Sequence, residues 1–154
     1  MTGWLLKFLM AFLLLAGGQV TEKGKVVAVK DGDTIDVLLN GKTQRVRFAH
    51  IDCPEKNQPY GTKARQFTSL ACFGQTVSLV HTRQYDRNKR LLAEVITATG
   101  KNLNKELVKA GLAWHFKKYS TDTTYANLET ASRKAKNGLW KDLFPVAPWN
   151  WRKR

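Results

Sequence analysis

Between Asp31 and Glu55 the chain gathers five of its twelve acidic residues into 25 positions: Asp31, Asp33, Asp36, Asp52 and Glu55. The rest of the chain is dominated by twenty-six Lys and Arg, for a formal charge of +14. Carboxylates placed this densely repel one another unless something positive joins them. A bound cation is the simplest candidate, and hard divalent ions take carboxylate and carbonyl oxygens. The same stretch carries two turn signals, Asp31-Gly32 and Asn40-Gly41, of the kind whose left-handed positions favour Asp, Asn and Gly. The two readings are compatible: the first turn closes a hairpin and delivers Asp33 to a metal.

Around those turns the pattern is β. Val26, Val27 and Val29 precede the first turn, Ile35, Val37, Leu38 and Leu39 follow it, and Val46, Phe48 and Ile51 complete a third strand. The spacing then predicts a helix over Thr62–Phe73, with Ala64, Phe67, Leu70 and Ala71 on one face and Gly74 as its stop. Strands follow near Thr76–Thr82 and Leu91–Thr97, joined by the polar loop Arg83–Arg90. Helices fit Leu103–Ala110, ended by Gly111, and Thr123–Lys136, with Tyr125, Leu128, Ala131 and Ala135 inward and Gly138 as its stop. Pro145 and Pro148 make Phe144–Arg154 an extended tail. The order β-β-β-α-β-β-α-α predicts an α+β domain, a five-stranded OB-fold barrel with three helices.

At 154 residues, 43% of them hydrophobic, the chain suits one domain with a real core. Its charge attracts polyanions, nucleic acid first among them, although acidic membranes or cell-wall polymers answer to the same field. Residues 1–18 have the layout of a secretory signal: Lys7, the apolar run Phe8–Leu15, then Ala16, Gly17 and Gly18. The expected location is extracytoplasmic, secreted or periplasmic, with an uncleaved N-terminal membrane anchor as the alternative. Residues 19–154 form the working domain. Two cysteines, Cys53 and Cys72, exclude a disulfide-rich scaffold, and a single bridge between them is the weaker reading. No Cys–His spacing resembles a zinc site.

Hydrolysis of a phosphodiester gathers negative charge on the non-bridging oxygens. Guanidiniums can neutralise that charge, a metal can polarise the phosphate, and a carboxylate can take the proton of the attacking water. Asp33 and Asp52 are candidates to hold the metal, Glu55 to be the base, and Arg47 with Arg90 to clamp the phosphate. Arg45 is read as a solvated strand residue, and His50 ranks below Glu55 as a base. Trp114 and Trp140 are expected in the core. Trp149 and Trp151, beside Arg152, Lys153 and Arg154, suit either stacking on single-stranded bases or packing of the tail on the domain.

The ordered set Val29-Lys30-Asp31-Gly32-Asp33-Thr34, Val46-Arg47-Phe48 and Ile51-Asp52-Cys53-Pro54-Glu55 resembles the staphylococcal (thermonuclease-type) nuclease family. So do Tyr60-Gly61 with Ala64, Asp86 to Arg90, Gly111-Leu112-Ala113-Trp114 and Gly138-Leu139-Trp140. The likeness runs from about Lys25 to Trp151. It implies Ca²⁺-dependent cleavage of DNA and RNA at the bond to the 5′ oxygen. It implies a metal held by Asp33, Asp52 and the backbone carbonyl of Cys53, with Asp31 in support and Arg47, Glu55 and Arg90 catalytic. No obligatory protein partner is implied, and a monomer is expected. Two departures stand out: Asn88 replaces a Tyr of the family pattern, and Lys89 a Gly. A non-catalytic nucleic-acid-binding barrel is the alternative, against which the retained acids and arginines argue.

Overall fold

The computed structural model describes residues 17–154, and the leader reading falls almost wholly outside them. Five strands close a barrel: β1 (Val20–Asp31), β2 (Thr34–Leu39), β3 (Lys42–Phe48), β5 (Thr76–His81) and β6 (Leu91–Ile96), in the order β1-β2-β3-β6-β5. A two-residue strand β4 (Ile51–Asp52) pairs separately with β7 (Trp114–His115). Helices α1 (Gly61–Cys72), α2 (Leu103–Lys109) and α3 (Thr123–Lys134) pack outside, and a one-turn α4 (Pro148–Trp151) ends the chain. The barrel with three substantial helices is the architecture expected from sequence. Among the described residues no helix is long and apolar enough to cross a membrane.

Closure depends on the length of β1, which starts five residues before the expected Lys25. Its first half pairs with β5 and its second with β2, Lys25 bridging to both Thr76 and Leu38. Register shifts between Val26 and Ala28 and between Val29 and Asp31 leave Val27 and Lys30 as extra residues. Such bulges sharpen strand twist, which is what bends one strand around two neighbours. β3 and β6 close the barrel in parallel, Val46 opposite Leu91.

Three expectations need correction. First, the third strand does not run on through Ile51. His50 takes φ +70 and turns the chain, so Ile51 and Asp52 join β7 instead. Second, the inner faces differ. In α1 the buried row is Gly61, Ala64, Thr68 and Cys72, while Leu70 is 90% exposed. In α3 Tyr125, Glu129 and Ser132 are buried, whereas Ala131 and Ala135 face solvent. Apolar periodicity missed these rows because polar members are inward for a reason. Thr68 donates to the Gly32 carbonyl at 2.5 Å, and Glu129 accepts the His115 amide at 2.6 Å. Third, the tail is not extended, because Pro148 opens α4 at a position where a missing N–H costs nothing.

The main core fills the barrel and the space under α1 and α2, and contains Phe48, Ile35, Leu79 and Leu107. A second cluster, Trp114, Leu139, Trp140 and Ala147 with Trp149 against it, binds the tail to the domain. The expected core placement of Trp114 and Trp140 holds in this second cluster. There Trp149 stacks on Phe116 with ring centroids 5.2 Å apart.

Gly111 and Gly41 both have positive φ, +68 and +77, but a Cβ on Gly111 would lie 2.1 Å from the Asn137 carbonyl oxygen, while Gly41 has open space. Gly41→Ala should therefore cost only the left-handed penalty, about 1 kcal/mol. Gly111→Ala should cost about 3 kcal/mol or more, since backbone must also move. Urea denaturation midpoints of the two variants check this; equal losses would contradict it.

Candidate active site

Asp33 follows Gly32 in the turn between β1 and β2. That turn is tight without a left-handed residue at Asp31 or Gly32. Gly32 is needed for room: a Cβ there would come within 2.7 Å of Ala64 and 2.9 Å of the Cys53 sulfur. Asn40 and Gly41, at φ +49 and +77, are the left-handed pair the sequence promised. The register sets Thr34 opposite Arg47, so Asp33 sits at the end of β2 beside the arginine.

Arg47 is buried, and its guanidinium collects the site. Nη1 donates to the carbonyls of Phe48 (2.7 Å) and Ile51 (2.9 Å). Nη2 donates to Asp52 Oδ1 (2.9 Å) and lies 3.3 Å from Asp33 Oδ2. Asp33 Oδ2 also accepts the Cys53 amide at 2.6 Å. The turn at His50 makes this convergence possible, because it brings the chain back so that Asp52, five residues on, meets the same guanidinium. Asn104, fully buried near the start of α2, ties that turn to β6. Its Nδ2 donates to the Ala49 and Ala93 carbonyls, and its Oδ1 accepts the Val95 amide.

Glu55 stands at the rim, its loop held by the Gln58 side chain and by α1. A Cβ on Gly61 would fall 1.9 Å from the Glu55 carbonyl oxygen, so only glycine lets the helix start there. Glu55 is joined to Asp52 by a residue the sequence did not nominate, Arg152. Its Nη1 donates to Glu55 Oε1 (2.5 Å) and its Nη2 to Asp52 Oδ2 (2.8 Å). Only the scarcity of acids set against a basic terminus hinted at it. Asp31 lies close enough that Asp33 and Glu55, after burial, raise its carboxyl above the ordinary range against Arg47 and Arg65. Burial raises Asp52 as well, opposed by Arg152 and Arg47.

Arg90 stands apart. Its Nε donates to Asp86 at 2.7 Å, with no hydrogen bond or ion pair to Asp33, Asp52 or Glu55. It immediately precedes Leu91, the partner of Val46, one residue outside β6. The Asp86–Arg90 loop holds its shape although Lys89 takes φ +59, a position a glycine would fill without strain. Arg45 pairs with Asp36 at 2.8 Å. His50 is engaged by Ser120 at 2.8 Å and stacks on Tyr125.

The description "Staphylococcal nuclease homologue" fits a family model matching residues 45–142. The chain belongs to the staphylococcal nuclease family. The uncharacterized endonuclease of Escherichia coli O157:H7 is 42% identical over 131 residues, 85% of each chain. The micrococcal nuclease of Shigella flexneri is 38% identical, covering 85% of this chain and 80% of its own. Protein ParB of Escherichia coli is 36% identical over 94% of this chain and 87% of its own. The staphylococcal nuclease match opens at Arg45, so Asp31 and Asp33 come to the site from outside the matched span.

Among the described residues no three His, Cys, Asp or Glu side chains are grouped to hold a metal. What does converge is the carboxylates of Asp33 and Asp52 on Arg47 Nη2, with the Cys53 amide on Asp33 Oδ2; carboxylate oxygens suit a hard cation whose shell water or phosphate completes. The donor chemistry fits Ca²⁺. The Cys53 thiol is buried, and burial pushes it well above its usual range. Burial likewise moves Cys72 up, to about 12. Both cysteines are free and buried, so the bridge is not formed. Native protein should give no fast reaction with a thiol reagent and two reactive thiols in denaturant. Rapid labelling of one thiol in the native state would contradict the packing around Cys53.

Proposed function

We propose that this chain is an extracytoplasmic, Ca²⁺-activated nuclease that hydrolyses phosphodiester bonds of DNA and RNA. Its family and its relatives support a phosphodiester hydrolase. The observation that carries the finer reading is that Asp33 and Asp52 meet the same nitrogen of Arg47, at 3.3 and 2.9 Å, with Glu55 at the rim beside them.

In this reading Asp33, Asp52 and the Cys53 carbonyl would hold the ion. When bound, it polarises the phosphate and offsets its charge. Asp31 supplies additional negative charge behind Asp33. Glu55, partly exposed and linked to Asp52 only through Arg152, takes the proton of the attacking water as general base. Arg47 presents Nη2 to the charge that grows on the non-bridging oxygens, a task for which its fixed position avoids reorganisation. Arg90 reaches the phosphate once its Nε leaves Asp86. The bond to the 5′ oxygen breaks, leaving a 3′ phosphate. The surplus of Lys and Arg draws in the polyanion at a rate that falls with salt. The N-terminal segment directs the protein out of the cytoplasm.

Plasmid nicking tests this. Cleavage should vanish in EDTA and return with Ca²⁺. Glu55→Gln should slow cleavage by about 10²–10⁴ fold, while affinity for a single-stranded oligonucleotide stays within a factor of about two. A chain that binds but never cuts, wild type included, would be the non-catalytic barrel instead.

A further inference from the structure

Arg152 occupies the place that the proposed ion needs. Asp52 Oδ1 accepts from Arg47 Nη2 at 2.9 Å and from Arg152 Nη1 at 3.3 Å, and Oδ2 accepts from Arg152 Nη2 at 2.8 Å. The remaining Arg152 contact holds Glu55 Oε1. Both Asp52 oxygens are therefore covered by guanidinium nitrogens. A Ca²⁺ ion needs such an oxygen within about 2.3–2.6 Å and would stand against a positive charge already in contact with it.

Arg152 is brought there by a built structure. Gln58 Nε2 donates to the Val146 carbonyl at 2.6 Å, tying the tail to the loop of Glu55. Ala147 and Pro148 are buried, and Trp149 lies between Phe116 and the edge of Trp114. The turn of α4 then closes with the Arg152 amide on the Pro148 carbonyl at 3.0 Å. Arg152 itself is 43% exposed at its side chain, so it can leave toward solvent without disturbing the cluster that anchors the tail.

We propose that Arg152 is an intramolecular latch: a cation of the chain's own tail that closes the acid pocket and is exchanged for the divalent ion. With Arg152 in place Asp52 contacts two guanidiniums and Glu55 one; with it withdrawn Asp33 and Asp52 keep Arg47, and Glu55 loses its guanidinium partner. Ion binding and tail release are then coupled in both directions, as linkage requires. The apparent affinity for Ca²⁺ is lowered by the fraction of molecules whose tail is open. The inference rests on the reading that Asp33, Asp52 and the Cys53 carbonyl hold the metal.

Calorimetric titration of the full chain with Ca²⁺, without substrate, separates the two. Arg152→Gln should bind Ca²⁺ about ten-fold tighter than wild type, the gain for a latch closed nine times in ten. Lys153→Gln removes the same charge one residue away and should change affinity less than about two-fold. In wild type, the Arg152 Nε and Trp151 indole NMR signals should shift as Ca²⁺ saturates. Equal or weaker binding by Arg152→Gln, or NMR signals that do not move, overturns the latch and leaves the metal reading standing. Absence of Ca²⁺ binding by all three chains overturns both.

Discussion

The site depends on one buried guanidinium. Arg47 is held by two backbone carbonyls on one nitrogen and by two carboxylates on the other. Such an arrangement is costly to assemble, because three charges leave water, and costlier to break. Removing Arg47 would strand the buried Asp33 and leave Asp52 with Arg152 alone, a loss on the order of 3–5 kcal/mol. Arg47 is thus a structural keystone first, and any substitution there mixes folding with its proposed part in the chemistry. Glu55, at the rim, is the cleaner probe of the reaction.

Everything else brings groups to that guanidinium. The bulged β1 hands Asp33 to the end of β2, and β3 supplies Arg47 opposite Thr34. The left-handed His50, braced by Asn104, folds Asp52 back. Gly32 and Gly61 allow the turn and the helix start to approach Cys53 and Glu55 more closely than any side chain would permit. A family match covering 45–142 together with a β1–β2 hairpin outside it produces one pocket only because the barrel closes.

Much of the barrel was legible. β-branched runs and turn signals located three of its strands to within a residue or two, and the concentration of scarce acids marked Asp33, Asp52 and Glu55 as neighbours worth joining. What local pattern could not carry was tertiary. The break after Phe48 follows from hydrogen bonds to Asp33 and Ala93 across the barrel, invisible to a period of two. Thr68 and Glu129 face inward because each satisfies a backbone group there, which hydrophobic periodicity reads backwards. Arg152 meets Asp52 across a hundred residues, a pairing no spacing rule reaches. Arg90 was placed by likeness, and its bond to Asp86 belongs to the loop that carries it.

The tail gives the pocket a second charged state, and so connects the basic surplus of the chain to its few acids. The central claim is that Asp33, Asp52 and the Cys53 carbonyl form one cation site against Arg47. A crystal structure of the full chain grown in Ca²⁺ tests it most directly. The account predicts one ion about 2.3–2.6 Å from an oxygen of each of those three residues, with Arg47 still bonded to the carbonyls of Phe48 and Ile51. An ion bound elsewhere, or carboxylates that keep only their guanidinium partners at saturating Ca²⁺, would contradict it.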